Sequence, residues 1–185
     1  MKPEYEYISS IDYINSLTFD YIETYSLQRG EEFEKDHKLG WQELVKLKEK
    51  QTKSALDTVE QKLFETLNEL YGYTQYLINA KGEFHPSSRK IGTYNSLDSK
   101  VITLKEILRT EIKDIPMWMC APTYRDAIVF YKDNKIVSTL NVCLSCEYME
   151  TKMFKHINAD NETYKLLRQF FTDCGHEVEN RNASR

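Results

Sequence analysis

Cys120-Ala-Pro-Thr-Tyr-Arg-Asp-Ala-Ile-Val-Phe-Tyr-Lys-Asp-Asn-Lys-Ile-Val-Ser-Thr-Leu-Asn-Val-Cys143-Leu-Ser-Cys146 is the stretch whose reading decides the fold. Ala127 to Tyr131 and Ile136 to Val142 are β-rich runs, and Asp133-Asn134 lies between them. Asx residues tolerate the positive φ angles of tight hairpin turns, so a hairpin over about 127–142 is expected. With Asp133 and Asn134 as the loop, Lys132 faces Lys135, Phe130 faces Val137 and Ile128 faces Thr139. Carried outward, the ladder sets Tyr124 opposite Cys143 and brings Cys120 towards Cys143 and Cys146. Apolar residues fall on both faces of the pair, which predicts a hairpin covered on both sides and central in the fold.

The cysteines admit three readings. Zinc sites use a Cys-x-x-Cys knuckle with two further Cys or His ligands. Cys143 and Cys146 supply the knuckle and Cys120 a third ligand, with Cys174, His176 or His156 as the fourth. The same pair can instead form a disulfide or exchange electrons with a partner thiol. The third reading is inert thiols at the end of a core hairpin, where free cysteine often lies.

This region also resembles a group of small, uncharacterised bacterial proteins. The resemblance rests on Cys120-x-Pro122, Arg125 to Tyr131, Asn141 to Cys146 and Tyr164-Lys-Leu-Leu-Arg-Gln-Phe-Phe171. It covers roughly the last third of the chain, with weaker similarity over Leu56 to Leu70. Thr123 and Tyr124 are extra relative to that pattern, and Leu144 stands where an aromatic is usual. The resemblance implies no particular activity. Some members look like exported lipoproteins, which bears on the state of the thiols.

The chain has 185 residues, enough for one domain with its own core. Its formal net charge is -4, so it has no cationic excess to neutralise phosphates, and a nucleic-acid partner is not expected. No run of about 18 apolar residues marks a membrane span. The opening residues, Met1 to Tyr7, carry no apolar signal core. A cytoplasmic protein is therefore expected, or an exported one if a signal sequence has been trimmed; in the cytoplasm thiols stay reduced.

Outward from the hairpin, Leu56, Val59, Leu63, Leu67 and Leu70 share a helical face, and Asp57 with Glu60 resembles a capping box. That stripe reads as core. Ile8 to Leu17 suggests a short helix near 10–18, capped by Ser9 or Ser10. Gln28 to Gly40 reads as a charged loop or solvated face. In Trp41 to Lys53, Val45, Leu47 and Glu49 alternate, which favours a strand joining the hairpin. Residues 79–100 read as a long polar loop, in which His85 is an exposed histidine before proline. A helix follows within 97–113, opened by Asp98 or Ser99. Met117-Trp118-Met119 reads as a buried apolar run. Glu147 to His156 fits either a helix or a third strand. Asp160 opens a last helix near 162–174 with Gly175 as its stop, and 177–185 reads as a frayed tail.

The expected architecture is α+β: a small antiparallel sheet built on the central hairpin, with helices near 57–70 and 162–174 packed on it. No nucleophile–base pair, phosphate loop or carboxylate pair stands in a recognisable motif. The expected function is a non-enzymatic binding or inhibitory, immunity-like protein with a protein partner. The alternatives are a zinc-stabilised domain and a thiol–disulfide redox protein. The latter sits poorly with a Cys-x-x-Cys placed so late in the chain.

Overall fold

The computed structural model describes residues 5–72, 74–117, 120–152 and 155–178. Among these residues the chain forms seven strands and five helices. They run β1 (Glu6–Ser9), α1 (Ser10–Ser16), β2 (Tyr21–Ser26), α2 (Glu31–Lys53), α3 (Thr58–Tyr71), β3 (Arg89–Asn95), α4 (Ser99–Leu108), β4 (Asp126–Lys132), β5 (Lys135–Cys143), β6 (Tyr148–Lys152), β7 (Lys155–Asn158) and α5 (Asn161–Asp173). All seven strands join one mixed sheet in the order β1-β7-β6-β5-β4-β2-β3. The β1–β7 pair is parallel and every other pair antiparallel. The small antiparallel sheet on a single hairpin is thus corrected. The hairpin is real, but it is the middle of a sheet that recruits strands from both ends of the described chain.

Asp133 and Asn134 adopt φ 49° and 58° and form the expected turn, with Lys132 opposite Lys135. Beyond the first pairs the register differs from the simple ladder. Tyr131 faces Ile136 but Phe130 faces Ser138, so Val137 is an extra, bulged residue. The bulge sets Ile128 opposite Leu140 and Asp126 opposite Val142. It puts Leu140 and Val142 on the same face as Ile128 and Phe130, and it leaves Ile136 and Val137 exposed.

That face carries the main core. Ile22, Ile128, Phe130, Leu140, Val142, Met149 and Ile157 meet Tyr13 and Ile14 of α1, Val101, Leu104 and Leu108 of α4, and Leu167, Phe170 and Phe171 of α5. The three helices are capped where their sequences allow it, by Ser9, Asp98 and Asp160, each accepting a first-turn backbone N–H. The chain leaves α5 through Gly175 at φ 90°, a left-handed position that suits glycine. Val178 packs back on this core. The remainder of the expected frayed tail, 179–185, lies outside the described residues, as do Trp118 and Met119 of the expected apolar run.

The opposite face is smaller. Tyr25, Leu27, Ala127 and Val129 pack with Leu77 from the segment 74–87. Within 79–100, expected as a loop, Arg89–Asn95 is strand β3 and pairs with β2. His85, expected exposed, is buried, and its Nδ1 lies 2.8 Å from Ser87 Oγ.

The 41–53 stretch is helix, not strand. Gly40, Leu44 and Leu47 are its buried positions, at spacings of four and three, and its Lys, Glu, Gln and Leu content favours a helix. The charged 31–40 stretch is the first part of the same helix, solvated on one side. The capping box at α3 is present: Asp57 accepts from the Val59 and Glu60 N–H groups, and Glu60 accepts from the Asp57 N–H. Yet α3 buries no residue. It packs against α2 as an antiparallel helical hairpin rather than on the sheet. Gly40 meets the Tyr71 ring, while Val59 is 77% exposed. The leucine stripe that reads as core in sequence is here half of a two-helix contact.

Candidate functional site: the Glu150–His156 centre

The sheet register draws one cross-strand row over its second face. Tyr25 faces Ala127, Ala127 faces Asn141, Asn141 faces Glu150, Glu150 faces His156, and His156 faces Tyr7. The row is apolar at its β2–β4 end and polar towards β1. Asn141 joins the two halves: its Oδ1 accepts the Leu77 N–H at 2.9 Å, and its Nδ2 donates to the Glu150 carbonyl at 3.1 Å.

Glu150 is buried. Its partners are hydroxyls and an imidazole. Tyr124 donates to Oε2 at 2.8 Å, Tyr76 donates to the same oxygen, and His156 Nδ1 lies 3.0 Å from Oε1. A carboxylate only accepts, so this contact puts the His156 proton on Nδ1. Tyr148 OH also meets Nδ1. Burial, reinforced by the Glu150 charge, pushes the Tyr124 and Tyr76 hydroxyls far up, and Tyr148 up to about 12. All three hydroxyls stay protonated at any ordinary pH; Tyr124 and Tyr76 donate to Glu150, while the Tyr148 oxygen accepts the Nδ1 proton that His156 also turns to Glu150. Tyr5 and Tyr7 stack on the His156 ring at centroid distances of 5.4 and 4.9 Å and remain largely open to solvent. The centre is thus a buried carboxylate held by three donors and roofed by an exposed aromatic pair.

A hydroxyl–imidazole–carboxylate relay needs the carboxylate on one ring nitrogen and the hydroxyl on the other. Here both meet Nδ1 most closely. Tyr148 and Glu150 thus do not stand on opposite nitrogens of the ring.

Of the residues expected as a zinc set, two stand together and the others have partners of their own. Cys120 and Cys146 form a disulfide with their Cα atoms 6.5 Å apart. Cys143 is buried, its Sγ 3.3 Å from Ser145 Oγ. Cys174 is buried beside Tyr94, and burial pushes its thiol up. His176 gives Nδ1 to Asp126 at 2.7 Å, and His156 belongs to the Glu150 centre. Among the described residues no group of three or more His, Cys, Asp or Glu stands together as a metal-holding set.

A second buried charge cluster has a holding role. Asp126 accepts a bidentate pair from Arg29, 2.8 Å on each oxygen, as well as the His176 contact. Burial would raise its carboxyl, but the Arg29 and His176 hydrogen bonds outweigh that and keep it below the usual aspartate value. The cluster ties the run before α2 and the turn after α5 to the start of β4.

Sequence reasoning did not find Glu150, Tyr124, Tyr76 or Tyr148, nor Arg29 and Asp126. One local signal was present: Tyr148-x-Glu150 puts two polar residues at strand spacing on one face. No family model, curated protein or solved structure matches the chain. Among the described residues no helix is long and apolar enough to cross a membrane.

Proposed function

We propose that this protein is a non-enzymatic binding domain. It takes an extended, basic segment of a partner protein along the outer side of β1, which ends the sheet among the described residues, in the manner of an inhibitory, immunity-like protein. The observation that supports this reading is the character of β1. It is an end strand of the sheet, yet Tyr7 (63%) and Ile8 (38%) on it and Tyr5 (53%) just before it are exposed. An end strand offers unpaired backbone groups, and proteins blunt such edges with lysine, proline or cover. These three side chains at and beside β1 suit strand addition, where main-chain hydrogen bonds give affinity and side chains give selectivity. A net charge of -4 and tyrosine faces both favour Lys or Arg on the incoming strand. The Cys120–Cys146 disulfide favours an oxidising compartment over the cytoplasm for the folded form.

The test is to identify a partner by capture and mass spectrometry, then to measure its affinity for the wild type and for the Tyr5→Ala/Tyr7→Ala double variant by calorimetry. A basic partner segment and at least a tenfold loss on substitution are expected. Equal affinity, or protection from hydrogen exchange mapped away from β1, would overturn the reading. So would sedimentation showing that β1 is covered by a second copy of the chain.

A further inference from the structure

We propose that the Cys120–Cys146 disulfide is a reducible tether that sets the order of the Glu150 centre and, through it, the aromatic roof on β1. The inference rests on the reading of β1 as the binding edge and adds a means of regulating it. Cys120 is exposed and Cys146 half-buried, so a reductant can reach the bridge. The bridge pins two short segments, the lead-in to β4 and the turn between β5 and β6. Each segment leads to the same carboxylate. Tyr124 stands four residues after Cys120 (124 − 120 = 4), and Glu150 four residues after Cys146 (150 − 146 = 4). Tyr124 OH donates to Glu150 across the gap the tether closes.

The two segments differ in their other anchors. In the turn, the Leu144 carbonyl accepts from Arg168 at 2.9 Å. In the lead-in, the Tyr124 carbonyl accepts from Gln28 Nε2 at 2.9 Å and the Arg125 carbonyl from the Leu27 N–H at 3.0 Å. Residues 121–123 have no regular secondary structure. The bridge is therefore an anchor of Tyr124 on its upstream side. From Glu150 the contacts continue to His156 and then to the Tyr5 and Tyr7 rings.

The chemistry is exchange with a dithiol. A reductant thiolate attacks one sulfur, the Cys120–Cys146 bond breaks, and a mixed disulfide forms. The second reductant thiol then displaces the protein sulfur. The protein gains two thiols, with two electrons and two protons from the dithiol, which leaves as its own disulfide. Cys143 and Cys174, both buried, stay outside the exchange.

The experiment begins with the intact mass of protein denatured without reductant and alkylated. Two free thiols are expected. Hydrogen exchange of residues 121–126 and the ring resonances of Tyr5, Tyr7 and His156 are then compared with and without dithiothreitol. Reduction is expected to speed exchange over 121–126 by about tenfold or more and to shift the three rings. Cys120→Ser/Cys146→Ser should match the reduced wild type in either buffer, and Cys143→Ser should respond like the wild type. Four free thiols at the outset would overturn the proposal. So would exchange and ring signals that ignore the reductant. Because these readouts need no partner, a protein that responds to reductant but binds no basic segment at β1 retains the tether and loses only the binding reading.

Discussion

Glu150 and His156 stand opposite one another on β6 and β7, with the carboxylate Oε1 3.0 Å from the ring Nδ1. The pair stands between the inward tyrosines Tyr76 and Tyr124 and the outward tyrosines Tyr5 and Tyr7. A substitution on one side of it is therefore felt on the other.

Glu150→Ala removes an acceptor shared by three donors and leaves buried hydroxyls without partners. A loss of about 3 kcal/mol is expected, from the cost of orphaning buried polar groups. Urea unfolding of the variant at neutral pH checks the loss. The Tyr7 ring resonances should move as well, although residue 7 is untouched.

Asp126→Asn breaks the buried pair with Arg29. A loss of about 3 kcal/mol at pH 7 is expected for a buried ion pair deprived of one partner. The Asp126 carboxyl lies below its ordinary 3.8 in the folded protein. Its stabilisation is therefore complete above that unfolded value and is lost as pH falls through the folded one. The gap between wild type and variant in urea titrations should be constant from pH 7 to 5 and shrink below pH 4.

His85 titrates in the other range. Burial holds its pKa below 6.5 in the folded protein, so between the two values the unfolded chain binds the extra proton. Stability from this residue is full above pH 6.5 and declines as the solution is acidified. His85→Gln should flatten the fall in urea midpoint between pH 7 and 5.5. An identical slope in both proteins would show that the ring is not kept neutral by burial.

Gly40→Ala tests the α2–α3 contact. A methyl group there would collide with the edge of the Tyr71 ring, a group that can rotate only by leaving its place against Phe33 and His37. Alanine favours an α-helix by about 1 kcal/mol over glycine, so an isolated helix would gain. A net loss of about 1–2 kcal/mol is expected from overpacking. Faster hydrogen exchange confined to α2 and α3 would localise it. By contrast, Val59→Lys on the open side of α3 should change stability by no more than about 0.5 kcal/mol.

What was legible in the sequence were the elements with local causes. Asp133-Asn134 announces its turn, Asp57 and Glu60 their capping box, and Asp98 and Asp160 the starts of α4 and α5. What was not legible depends on distant partners. The α3 leucines are spaced as a core stripe, but only the fold reveals that their neighbour is α2 and solvent. Val45, Leu47 and Glu49 alternate by accident inside a helix whose true buried positions are Gly40, Leu44 and Leu47. The Val137 bulge moves the hairpin register by one residue with no marker in the local sequence. The Glu150 centre is the extreme case. Its members come from β1, the 74–87 segment, the approach to β4, and β6 with β7, and only the completed register sets them side by side.

The parallel β1–β7 pair has a consequence for the order of events during synthesis. Glu6 and Lys155, partners across that pair, are 149 residues apart in the chain. At about 5–20 residues per second a ribosome takes roughly 7–30 s to make that span. For that interval β1 has no neighbour to pair with, and the rings of Tyr5 and Tyr7 have no imidazole to stack on. The strand proposed to meet the partner is thus the last to find its place. Recognition becomes available only after β7 has emerged, so a chain interrupted before β7 would carry the contact residues without the surface they form.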